Sequence, residues 1–197
     1  MRLFVISRHG ESTLNLEQRV NGDPAVPVTL TEKGRDEARL LGQQLAHLPL
    51  DLCMHTRFSR TLETAEIALE GRAVPRLVLP DLNDIRVGQW EGKRLADYRV
   101  WARSHGPDDV TEGGGESRAA TVRRYVHAFR TILARPERVV LFVTHGLPIR
   151  YLLSAAEGRD PVPAIDQVEY ATPYRLSREQ VELGAERLDR WCAAPAW

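Results

Sequence analysis

Leu3-Phe4-Val5-Ile6-Ser7-Arg8-His9-Gly10-Glu11-Ser12 runs from an unbroken apolar stretch straight into an arginine, a histidine and a glycine. Continuous apolar runs of this length mark strands covered on both faces, as in parallel sheets flanked by helices. The polar triplet then falls at the strand's carboxyl end, where open α/β sheets bind their ligands. Working outward, residues 2–7 (RLFVIS), 51–55 (DLCMH), 76–80 (RLVLP) and 139–144 (VVLFVT) read as short, mostly buried strands. Helix-period segments alternate with them. Thr31 is the N-cap candidate for a helix carrying Ala38, Leu41, Leu45 and Leu48, and Ser117 or one of its neighbours opens another with Val122, Val126, Phe129 and Leu133. Further helices are expected after Arg57 and after Gly146. This order predicts a layered α/β domain built on a mainly parallel sheet.

The remaining stretches are less regular. Residues 21–29 and 106–115 are rich in Gly, Pro and Asp and read as loops within one domain, while 168–171 reads as an edge strand limited by Pro173. Ser177-Arg178-Glu179-Gln180 fits a capping box for an added C-terminal helix at about 177–193, with Val181, Ala185, Leu188 and Cys192 on one face. Gly184 argues against that helix being long. It is expected to pack on the body or to pair two chains, which makes a homodimer a candidate assembly.

The 197 residues suit a single domain, and 27 basic against 27 acidic residues leave no net charge. That balance argues against nucleic acid or an anionic membrane surface as a partner. No segment approaches the roughly 20 apolar residues of a membrane helix, and the N-terminal run is too short for a signal peptide. Cys53 and Cys192 alone give no disulfide framework. A cytoplasmic location is the expectation.

Three polar clusters fall at equivalent places: Arg8-His9-Gly10 after the first strand, Arg57 and Arg60 after the second, Thr144-His145-Gly146 after the strand at 139–143. Any one of them has an ordinary explanation as a turn, a helix end or a solvated charge; their coincidence along one sheet edge points to a shared pocket. Two imidazoles and two guanidiniums suit a phosphoryl dianion, because guanidinium gives planar, charge-assisted hydrogen bonds and keeps its proton. Helix N-termini add backbone N–H donors. One neutral histidine can attack phosphorus, and the other is expected to be protonated and to steady the equatorial oxygens. Neither a metal nor a cofactor is required, and His47, His55, His105 and His127 show no ligand spacing.

Arg8-His9-Gly10-Glu11-Ser12-Thr13-Leu14-Asn15 resembles the R-H-G-E-[ST]-x-x-N signature of the histidine phosphatase superfamily, the phosphoglycerate mutase-like family. The resemblance continues through residues 56–65 (TRFSRTLETA), 82–92 (LNDIRVGQWEG), Gly114-Gly115-Glu116-Ser117 and Val143-Thr144-His145-Gly146, and fades beyond about Ala171. It implies a three-layer α/β/α sandwich and a phosphomonoesterase acting on a small phosphorylated metabolite through a phosphohistidine. His9 would be the nucleophile, and Arg8, Arg60 and His145 would hold the transferred group. Ser12, Asn15, Gly10 and Gly146 would contact the phosphate, with Gly10 letting backbone approach. Thr56 and Thr144 would orient these groups.

Where the family usually has a glutamate as proton donor, this chain has Asp84, one methylene shorter. Asp84 remains the expected acid; Glu91 is the fallback, though a carboxylate at a helix N-terminus explains it better. A phosphoglycerate mutase is the nearest rival, set aside because those enzymes resemble longer chains. A phosphate-binding scaffold comes next. Specificity is expected from a lid over 86–115 and the loop at 21–29, with Arg57 and Arg86 as candidates for a second anionic group and Trp90, Tyr98 and Trp101 as candidate contacts.

Overall fold

The computed structural model describes residues 2–197. The opening apolar run forms β1 (Leu3–Arg8), followed by α1 (Thr13–Leu16), α2 (Glu32–Gln44), β2 (Leu52–His55), α3 (Ser59–Ala68), β3 (Arg76–Val78), α4 (Leu95–Ser104), α5 (Arg118–Ala134), β4 (Val139–Thr144), α6 (Gly146–Ala156), β5 (Tyr174–Ser177) and α7 (Arg178–Ala193). Short 3-10 turns lie at Pro80–Leu82 and Gly88–Trp90. The strands form one five-stranded sheet in the order β3-β2-β4-β1-β5. The first four are parallel, and β5 runs antiparallel on β1.

Period-two alternation explains why the central strands are apolar throughout. Phe4, Ile6, Leu52, Met54, Val140 and Phe142 face a core shared with α5, α6 and α7. Val5, Cys53, Leu141 and Val143 face the opposite side, where α2 and α3 contribute Leu41, Leu45, Ala65 and Ala68. Helices therefore cover both faces, which makes the domain a three-layer sandwich. The helix starts follow their caps: the hydroxyls of Thr31, Ser117 and Ser177 accept from the backbone N–H of Gly34, Ala120 and Gln180.

Two expectations change. Residues 168–171 do not form the edge strand: only Tyr170 bridges to Arg8, and Ala171 turns away at a φ of 42°. The edge is β5, beyond Pro173. Gly184 does not shorten the terminal helix, because it is where α7 crosses α6; a Cβ there would stand 2.7 Å from Leu152 Cδ1. The apolar face of α7 is spent on α5 and α6, with Val181, Ala185 and Leu188 buried. The expected lid region at 86–115 contains the ten-residue helix α4. No described helix is long and apolar enough to cross a membrane.

Candidate active site

Parallel strands β1, β2 and β4 all end at one edge of the sheet, and their trailing residues meet there. Arg8, His9, Ser12, Asn15, Asn21, Arg60, Asp84 and Gly146 line a single cleft of about 350 Å³. His145 lies one layer deeper, fully buried, its ring centroid 5.4 Å from that of His9.

The state of His9 is set by two hydrogen bonds. Nδ1 lies 2.7 Å from the Gly10 carbonyl, so it must carry the proton, and Nε2 accepts from Arg60 Nε–H at 3.0 Å. Burial, Arg60 and Arg8 hold the pKa well below its ordinary value of 6.5. His9 is therefore neutral, with its Nε2 lone pair engaged by Arg60 at the cleft.

His145 differs from expectation. Its surroundings are cationic, and burial, Arg60, His9 and Arg8 keep it well below 6.5 and neutral. Its Nε2 lies 3.0 Å from the Thr56 hydroxyl, which lies 2.9 Å from that of Thr61; Thr61 in turn donates to the Phe58 carbonyl. The chain of donors is satisfied if His145 carries its proton on Nε2, leaving Nδ1 toward Arg60 Nη2 at 3.4 Å and Asp84 at 3.8 Å. An anion bound beside Arg60 would favour the protonated ring.

Arg60 is buried, and that pushes its pKa down to about 10 against the restoring charge of Asp84. Its Nη1 donates to the Asn21 side-chain oxygen and Nη2 to the Asn21 carbonyl. Arg8 donates from Nη1 to the Val168 carbonyl at 2.8 Å and lies over the Tyr170 ring at 4.0 Å, while its buried Nε has no acceptor. Asp84 Oδ1 accepts from its neighbour Ile85 N–H; burial raises its pKa although Arg60 pulls it the other way.

Ser12 donates to Asn15 Oδ1 at 2.8 Å, which leaves the Asn15 NH₂ group for a ligand. Gly10 is not in the cleft. Its N–H goes to Thr64, its carbonyl serves His9, and a Cβ would stand 2.3 Å from the Gly34 carbonyl oxygen, so close packing on α2 demands the glycine. Gly146 does reach the cleft, at the start of α6. Thr144 ties the Asp84 segment to the sheet through the Leu82 carbonyl.

Several supporting residues escape a linear reading. Glu91 is no helix N-terminal carboxylate: it closes the Gly88–Trp90 turn and accepts from Asn21 Nδ2 and the N–H groups of Gly22 and Asp23, fixing the loop that holds Arg60. Arg124, paired with Glu116, donates to the carbonyls of Asp81, Asn83 and Asp84. Of Trp90, Tyr98 and Trp101, Tyr98 alone lines the cleft, and Trp90 and Trp101 pack behind it. Arg57 and Arg86 lie outside, both exposed, with Arg86 turned toward Glu116.

The histidine phosphatase superfamily (branch 1) profile matches residues 4–193. An adenosylcobalamin/alpha-ribazole phosphatase of Salmonella typhimurium is 39% identical over 58% of this chain and 59% of its own length. A 2,3-bisphosphoglycerate-dependent phosphoglycerate mutase of Methylobacterium is 32% identical over 96% of this chain and 98% of its own. Chain length therefore does not separate this protein from mutases. The solved structure of Bacillus stearothermophilus YhfR superposes with a TM-score of 0.77 at 30% identity, covering 89% of this chain and 90% of that one. With a whole-chain profile match, a sandwich of the same shape, and two histidines and two arginines gathered at one sheet edge, the chain belongs to the histidine phosphatase superfamily.

Proposed function

We propose that the protein hydrolyses a small phosphomonoester through a phosphohistidine on His9, with no metal needed because Arg8 and Arg60 supply the positive charge. The observation that carries the reading is the fixed tautomer of His9, whose unprotonated Nε2 accepts from Arg60. An entering phosphoryl group takes over the Arg60 N–H and frees the lone pair. As the Nε2–P bond forms, the P–O bond to the leaving alkoxide breaks, and Asp84 delivers its proton to that oxygen. Water then attacks phosphorus, passing a proton to the Asp84 carboxylate, and the P–N electron pair returns to Nε2. The Gly10 carbonyl steadies the charge on the imidazole throughout. His145, protonated once the dianion is bound, joins the arginines around the equatorial oxygens.

Rapid quench with a ³²P-labelled substrate tests this directly. An acid-labile phosphoprotein is expected in the wild type and none in His9→Ala, whose turnover is abolished while its fold is kept. Near-native turnover in His9→Ala would remove the nucleophile. Phosphate release measured beside transfer to a second hydroxyl separates hydrolysis from the mutase reaction that the Methylobacterium relative is named for.

A further inference from the structure

The two arginines of the phosphate end are held differently. Arg60 has each of its guanidinium nitrogens engaged: Nε on His9, Nη1 on the Asn21 side-chain oxygen and Nη2 on the Asn21 carbonyl. Arg8 makes one side-chain hydrogen bond among the described residues, from Nη1 to the Val168 carbonyl at 2.8 Å, and its buried Nε has no acceptor. None of the ion pairs among the described residues includes it. What the Arg8 guanidinium does have is the ring of Tyr170, with Cζ 4.0 Å from the ring centroid.

The sheet puts Tyr170 in that place. Tyr170 bridges to Arg8 in parallel, the Ala171 N–H donates to the Arg8 carbonyl at 3.0 Å, and after a reversal at 171–173 strand β5 runs back along β1 with Tyr174 opposite Ile6. At the reversal Ala171 takes a φ of 42°, a left-handed conformation that is costly for alanine and persists where the surroundings impose it. Val168, whose carbonyl receives Arg8 Nη1, belongs to the same segment, so one stretch of chain both bonds the guanidinium and backs it with a ring. The unpaired Nε lies at the start of α6: a Cβ on Gly146 would stand 3.9 Å from it. Arg8, Gly146 and Tyr170 all line the cleft.

A ring does for Arg8 what a carboxylate could not. Its negative face orients the cation while occupying none of the N–H donors and cancelling none of the charge. A carboxylate in the same place would take up two donors and compete with a phosphoryl dianion for them. We propose that Tyr170 is a positioning residue, whose ring holds the Arg8 guanidinium in the orientation in which the unpaired Nε receives a phosphoryl oxygen. This assignment rests on the reading of Arg8 as a phosphate ligand given above.

Inorganic phosphate, titrated calorimetrically, reports on the site without turnover. Tyr170→Leu removes the ring face and lets the guanidinium sample other rotamers, so phosphate affinity is expected to fall about 3- to 30-fold, with kcat/KM falling alongside. Tyr170→Phe, which keeps the ring and drops the hydroxyl, is expected to restore both. In an Arg8→Met background there is no guanidinium to hold, and Tyr170→Leu is expected to cost nothing further. Should Tyr170→Leu fail to fold, a series of increasingly fluorinated phenylalanines placed at position 170 weakens the negative face at nearly constant size, and affinity is expected to step down along it. Equal losses in Tyr170→Phe and Tyr170→Leu, an undiminished loss in the Arg8→Met background, or a flat fluorine series each overturn the positioning role. A loss in Arg8→Met with none in Tyr170→Leu overturns that role alone, whereas unchanged phosphate affinity in Arg8→Met removes Arg8 from the phosphate site and overturns the reading beneath it.

Discussion

Asp84 shows how one carboxyl can serve as acid and then base. Enclosure in the cleft raises its pKa above the ordinary 3.8, and Arg60 and Arg8 limit the rise by favouring the anion. The first step needs Asp84 protonated and His9 neutral. Since the Asp84 pKa is raised and that of His9 lies well below 6.5, kcat/KM is expected to fall on the alkaline side as Asp84 loses its proton, and on the acid side only as His9 gains one. Asp84→Asn has no proton to give. It should lower kcat/KM on alkyl phosphates by about 10²–10⁴-fold and erase the alkaline limb. On p-nitrophenyl phosphate, whose leaving group departs as a stable anion, the loss should be far smaller. Equal losses on both substrates would show that Asp84 acts otherwise than as the acid.

At the scale of elements, the site depends on loops that hold its side chains from behind. The Glu91 carboxylate receives three N–H groups from residues 21–23, and Asn21 from the same loop receives both terminal nitrogens of Arg60. Glu91→Gln keeps the size but replaces one acceptor by a donor, so at least one of those bonds is lost and Arg60 is freed to shift. Misplacement of a binding group by about 1 Å costs up to about 10²-fold in rate; kcat/KM for the variant should fall about 10–100-fold. Because the effect acts through Arg60, the inhibition constant of inorganic phosphate should weaken in parallel. A loss of melting temperature with unchanged phosphate inhibition would reduce Glu91 to a structural tie.

The same contrast between local and long-range contacts explains what the sequence made legible. β1, β2 and β4, the caps at Thr31, Ser117 and Ser177, and the gathering of Arg8, His9, Arg60 and His145 follow from patterns within a few residues and from parallel-sheet geometry. Glu91 reaching back to Asn21, Gly10 packed on Gly34, and Arg57 and Arg86 lying outside the cleft depend on contacts formed only when distant segments fold together. The edge strand was misplaced because Ala171 takes a left-handed conformation that no local pattern announces.

For the whole molecule, the active site is a place where folding keeps two imidazoles neutral below pH 6.5, where water would protonate them. An unfolded histidine takes up its proton near pH 6.5, whereas His9 and His145 in the folded chain do so only well below that. As pH falls from about 6.5 toward those folded values, the unfolded chain binds more protons, and stability is lost at about 1.4 kcal/mol per pH unit for each histidine. Asp84 has the opposite sign: its raised pKa lends stability that is full below 3.8 and disappears as pH rises through the folded value. Glu11 and Glu137, both lowered by ion pairing, lose their contribution only as pH falls below the ordinary carboxylate value of 4.5. Melting temperature should therefore begin to drop just below pH 6.5, before the carboxylates titrate, and then drop again in the carboxylate range. His145→Gln, which cannot take up a proton, should show roughly half the first slope. A bound phosphate or vanadate, by supplying the anion that lets His145 become cationic, should stabilise the protein and make the first drop shallower. A melting temperature that stays flat from pH 7 to the carboxylate range would mean that the two rings take up protons as readily in the folded chain as in the unfolded one, and the lowered pKa assigned to His9 would fall.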